Sequence, residues 1–131
     1  MHQKKDIHSL EDIQLLVDTF YGKIRAHELL ANIFNEVIQD RWPQHLEKMY
    51  RFWQTILLDQ QTYYGAPFPP HAPLPVERLH FEAWLQTWNG TVDALFEGVI
   101  AEEAKWRGNR MASVFLSKIT AMRSGSMRPL M

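Results

Sequence analysis

Apolar residues recur at intervals of three and four along almost the whole chain, and that pattern stops once, at PFPPHAPLP, Pro67 to Pro75. Five of the seven prolines stand there, around a single histidine, His71. Each proline removes a backbone donor and fixes φ, so the stretch is neither a helix interior nor a central strand. A helical protein interrupted by one stiff irregular connection is what remains.

The stripes can be followed individually. Ser9 and Asp12 have the spacing of a capping box, and Ile13, Leu16, Val17, Phe20 and Ile24 then predict a helix over about 10–25. Leu29, Leu30, Ile33, Phe34 and Val37 predict a shorter one over 28–38. Pro43 suits the first turn of a third, whose stripe is Leu46, Met49, Phe52, Trp53, Ile56 and Leu57 before the polar DQQ ends it. The connection over 59–74 follows; one of that length inside a small domain is usually functional.

Helical spacing resumes over 76–95 with Leu79, Trp84, Leu85 and Trp88, and Asn89-Gly90 is a weak point in it. A last helix is expected over 100–122, with Ala104, Met111, Val114, Phe115 and Ile119 on one side. No strand pattern or repeat competes. The expectation is all-α, a single domain over 1–131, with its core over about 10–122 and a frayed C-terminal tail, SGSMRPLM.

Bulk properties remove several function classes. Fourteen Lys and Arg balance fifteen Asp and Glu, so no basic field favours nucleic acid. Zero cysteines exclude disulfides, thiolate metal sites and thiol nucleophiles. No apolar run is long enough for a signal peptide or a membrane span, so the expected location is cytoplasmic. Five Trp, seven Phe and four Tyr are a large aromatic complement, suited to lining something flat or bulky.

His45 falls on the apolar face of the third helix, with Met49, Phe52, Trp53 and Ile56 following it. Its polar tip is therefore expected to point inward. Tyr21 beside Phe20 and the indole of Trp84 bring two further hydrogen-bonding groups to the same interior, while His71 approaches on a stiffened loop. One neutral imidazole facing an apolar slot with polar tips opposite is what haem ligation and ligand control require. Taken alone, each feature also has a plainer meaning: a histidine on an apolar stripe is usually a core residue, and a proline run is usually a rigid connector. Trp53 and Trp88 are best read as core.

His80 competes with His71, and Glu77 to His80 reads as the Glu-x-x-His of di-iron bundles. Such a site needs a second pair on another helix, and the chain has none. His80 also stands four residues before Trp84 in a helical pattern, a poor place from which to coordinate opposite it. His2, His8 and His27 lie near the terminus or a helix break, where solvated roles are expected.

Over about residues 10–122 the chain resembles the truncated haemoglobins of group III. The resemblance rests on FY at Phe20-Tyr21, IFN at Ile33 to Asn35, WPQHLEKMYRFW from Trp42 to Trp53, YGAPFPPHAPLP ending at Pro75, and HFEAWL from His80 to Leu85. Groups I and II carry paired-glycine motifs, and no Gly-Gly occurs here. The resemblance implies a compact truncated globin fold with haem b, in which His71 is the proximal iron ligand and Tyr21, His45 and Trp84 are the distal residues. Phe20, Phe34, Met49, Phe52, Trp53, Ile56, Tyr63 and Leu74 are then the expected pocket wall.

The activity so implied is binding of dioxygen, carbon monoxide, nitric oxide or a similar small ligand. Donors such as Tyr21 and Trp84 each contribute about 0.5–1.5 kcal/mol to a bound dioxygen, with a low local dielectric favouring the upper end. Two such bonds slow release too much for a shuttle. That favours scavenging, or redox chemistry of dioxygen, nitric oxide or peroxide with an unidentified electron donor, over storage. Dioxygenase-like or peroxidase-like turnover stays open. The rivals are a haem-based sensor or carrier without turnover, and a helical interaction module without a cofactor.

Overall fold

The structure, a computed structural model, describes residues 3–63 and 75–124. His71 and Leu74 lie outside the described residues, as do the other residues of 64–74 and the tail beyond Ser124. Five helices and no strands occur among the described residues: α1 Leu10–Arg25, α2 Ala31–Ile38, α3 Trp42–Leu58, α4 Arg78–Leu95 and α5 Val99–Ser124. None is long and apolar enough to cross a membrane.

Helix α1 begins where its cap predicts. Ser9 Oγ accepts the backbone N–H of Asp12 at 3.3 Å, yet the reciprocal half of the box is replaced. Asp12 instead accepts the backbone N–H of His8 at 2.9 Å and the Lys5 ammonium at 2.5 Å, because residues 4–8 fold back along the helix. Helix α2 starts three residues later than periodicity predicts. His27 Nδ1 accepts the Leu29 N–H at 3.1 Å, and that side-chain bond diverts the chain from the helical path before Ala31.

Between α2 and α3 the corner is short and firmly tied. Gln39 takes a positive φ of 57°, and the Arg41 guanidinium donates to the carbonyls of Val37 at 2.5 Å and Ile38 at 3.2 Å. Those are among the carbonyls that a helix end leaves without partners. Helix α3 then carries Pro43 in its first turn, as expected, and stops at Asp59 in the left-handed region. Helix α4 opens with a capping box of unusual make-up: Glu77 is the N-cap, and His80 Nδ1 accepts the Glu77 N–H at 2.9 Å. It continues through Asn89-Gly90 without a break.

Helix α1 packs against α2, α3 and α4, and α4 packs along α5. At their junction lies an aromatic block. Trp53 and Trp88 stack with ring centroids 4.4 Å apart, and Phe20 meets Trp88 edge-on at 5.1 Å. Trp88 is fully buried, and its indole donates to the Ala104 carbonyl at 2.9 Å, so its one polar group has a partner. Gly108 permits this approach: a Cβ there would lie 2.6 Å from the Trp88 ring. Trp53 and Trp88 are core, as the sequence suggests.

Candidate functional site

A cavity of about 210 Å³ opens between the α2–α3 corner and the α4–α5 pair, lined almost wholly by apolar side chains. Helix α1 supplies Phe20 and Tyr21 because FY falls where its buried stripe reaches the edge of the aromatic block. Helix α3 supplies His45, Met49, Phe52 and Trp53, at successive turns of one face. Helix α4 supplies His80, Phe81 and Trp84.

Tyr21 and His45 meet edge to face with ring centroids 5.0 Å apart, so two of the three predicted distal groups share one wall. Trp84 joins them through Phe20, which it meets edge-on at 5.4 Å, while stacking on Trp88 at 5.9 Å. Tyr21 is 7% exposed and lines the cavity. Burial pushes its phenol pKa well above the ordinary value of 10. It therefore keeps its proton and remains a donor at any physiological pH.

Of the expected wall, Phe20, Phe34, Met49, Phe52 and Trp53 line the cavity. Ile56 and Tyr63 do not: Ile56 packs into the core flank, and Tyr63 leans edge-on against Phe52 at 5.2 Å. One turn of α3 beyond Trp53 is already past the cavity floor. Leu74 and the expected iron ligand His71 lie outside the described residues.

Other lining residues were not assigned from sequence. Leu30 at the start of α2 and Ile33 and Val37 within it carry the legible apolar stripe, but periodicity alone does not say what a stripe faces. Met111, Ala112 and Phe115 come from α5. His80 reaches the wall although its Nδ1 is engaged in the helix cap, leaving Nε2 as its proton-bearing nitrogen when neutral. Among the described residues no group of three or more His, Asp or Glu is placed to hold a metal ion directly.

The donor set fits a flat, largely apolar group better than a bare metal. Aromatic and aliphatic walls would grip such a group on its faces, and the polar tips of Tyr21, His45 and Trp84 would address whatever binds at its centre. Residues 6–115 match the bacterial-like globin family. The group 3 truncated hemoglobin ctb of Campylobacter jejuni is 30% identical over 109 residues, which cover 80% of this chain and 86% of that protein. The crystal structure of a group III truncated hemoglobin from Campylobacter jejuni matches with a TM-score of 0.82 at 28% identity, covering 89% of this chain and 95% of the other.

Proposed function

From a chain that belongs to the group III truncated haemoglobins of the bacterial-like globin family, and so to proteins that bind ligands through haem, we propose a protein that retains a diatomic ligand for scavenging or redox use. The group is haem b, held between the aromatic walls with His71 as the proximal ligand. When bound, it would supply the iron that takes dioxygen, carbon monoxide or nitric oxide.

The observation that carries this reading is the convergence of Tyr21, His45 and Trp84 on one largely apolar cavity, with the Tyr21 phenol buried. Tyr21 donates one hydrogen bond to the ligand, and Trp84, whose indole can only donate, supplies a second. His45 stands against Tyr21 and limits the space left for the phenol to turn away. The apolar remainder of the wall excludes water, which strengthens both donors. Two donors in a dry site favour long retention, and an outside electron donor then resets the protein after each redox event.

Absorption spectra of the purified protein in ferric, ferrous and carbonyl forms test the cofactor and its coordination together. A haem band that shifts with each form is expected; a colourless protein that takes up no haem overturns the reading. Steady-state consumption of nitric oxide or peroxide then separates turnover from carriage.

A more pointed prediction concerns Tyr21. Tyr21→Phe should release dioxygen about tenfold faster, the equivalent of one lost hydrogen bond of roughly 1.4 kcal/mol. Carbon monoxide gathers less negative charge and should respond less. Stopped-flow displacement reads both rates. An equal change for the two ligands would mean that the phenol acts by bulk, and no change for dioxygen would leave Trp84 holding the ligand alone.

A further inference from the structure

Two motifs of the sequence, IFN and WPQH, are joined by a bond that the distal site itself does not use. The indole Nε1 of Trp42, the first residue of α3, donates to Asn35 Oδ1 on α2 at 3.1 Å. From α1, the Arg25 guanidinium lies over the same indole, 4.5 Å from its centroid. Three helices therefore meet on one ring, and the Arg41 bonds to α2 hold the corner beneath it.

The same ring also meets both distal donors. Trp42 meets His45 edge to face at 5.7 Å and 89°, and Tyr21 at 5.7 Å and 64°. His45 lies three residues after Trp42 on α3, so the two side chains share a helix face. Trp42 is not part of the cavity lining; it borders a separate outer cleft with Arg25, Asp40, Leu46 and Tyr50. The indole thus links the exposed Asn35 and Arg25 to both candidate ligand donors.

We propose that Trp42 is the positioning residue for Tyr21 and His45, and that Asn35 and Arg25 set the distal pocket from outside by fixing its indole. The inference rests on the reading of Tyr21 and His45 as ligand-controlling residues. Hydrogen bonds weaken steeply once donor geometry drifts, so an indole free to turn into the outer cleft would release both rings from productive positions. Trp42 is almost fully buried, whereas Asn35 and Arg25 are exposed, so the latter two can be changed with little risk to folding.

The test uses Asn35→Ala, which removes the acceptor, Asn35→Asp, which keeps one, and Trp42→Phe, which removes the donor. Two readouts are needed. In the haem-free protein, the His45 ring resonances in histidine-selective NMR carry the ring currents of Tyr21 and Trp42. They should move in Asn35→Ala and Trp42→Phe and return in Asn35→Asp. In the haem-loaded protein, the carbonyl stretching band should change from one dominant component to several in the same two variants. Carbon monoxide association should rise about fivefold, and Asn35→Asp should restore both. His45 resonances and a carbonyl band unchanged in Trp42→Phe and Asn35→Ala would overturn the proposal. Equal effects of Asn35→Asp and Asn35→Ala would also overturn it. Should the wild-type chain take up no haem, the parent reading fails, and the haem-free resonances still decide this one.

Discussion

His71→Ala is expected to give a folded protein that binds haem about a hundredfold or more weakly, with added imidazole partly restoring uptake. Outer partners of metal ligands are already worth about 10–100-fold in affinity, and an axial ligand itself stands at or above that range. A proximal ligand has to stand opposite the distal donors. His45 shares a wall with Tyr21, their rings 5.0 Å apart, so coordination from His45 would put the buried phenol on the ligated side, where no small ligand could reach it. His80 gives its Nδ1 to the α4 cap and stands on the helix that carries Trp84. The resemblance assigns the remaining role to the proline-bracketed His71.

His80→Ala is the control. It should lower stability by about 0.5–2 kcal/mol through the lost cap and leave haem uptake intact. Normal haem content and an unchanged ferrous spectrum in His71→Ala would reject the assignment. Loss of haem in His80→Ala instead would move the ligand to α4.

How much of this was legible depends on the range of the interaction. Helix α1 agrees with expectation to the residue because its stripe and its Ser9 cap are local signals, and both survive in the structure. The start of α2 was not legible, since a single bond from His27 to the Leu29 N–H outweighs a continuous apolar stripe. Tyr21, His45 and Trp84 line one cavity because each sits on an inward stripe of a different helix. Ile56 sits on the same stripe as His45 and still misses the cavity, because a stripe outruns the site it helps to build. The Asn35–Trp42 bond crosses a corner whose geometry no periodicity encodes.

The N-terminal arm was the least legible part, lying outside the core expected over about 10–122, and it supports the second large prediction. Asp6 accepts the backbone N–H groups of Ile100 at 2.9 Å and Ala101 at 2.8 Å, 94 and 95 residues away. It also accepts its neighbour Ile7's N–H at 2.8 Å. It thereby caps α5 from the opposite end of the chain, where the helix dipole favours an anion. The Glu97 N–H, bonded to the Lys5 carbonyl at 3.0 Å, and the buried Ile7 side chain complete the strap. Asp6→Ala should lose about 2–3 kcal/mol, more than an ordinary cap, because the acceptor is charged and serves several donors. Asp6→Asn, which keeps one acceptor oxygen without the charge, should lose less.

The pH dependence has a definite sign. Burial pushes the Asp6 carboxyl up, but the N–H groups of Ile100, Ile7 and Ala101, with the charge of His8, outweigh it and hold the pKa below the ordinary 3.8. A depressed folded-state pKa means stabilisation that is complete above the unfolded value and is lost as pH falls through the folded one. The gap between wild type and Asp6→Asn in urea midpoint should therefore be widest near neutrality and close below about pH 4. Gly98 supplies the check on mechanism. It holds φ at +138°, and a Cβ there would lie 2.5 Å from the Asp6 carboxyl carbon. Gly98→Ala should displace the same carboxylate, so the double variant Asp6→Ala with Gly98→Ala should fall well short of the sum of the single effects. Strict additivity would mean that Gly98 acts through its backbone alone. An unchanged midpoint in Asp6→Ala would mean that the strap does not hold α5, and with it Met111 and Phe115, against the cavity.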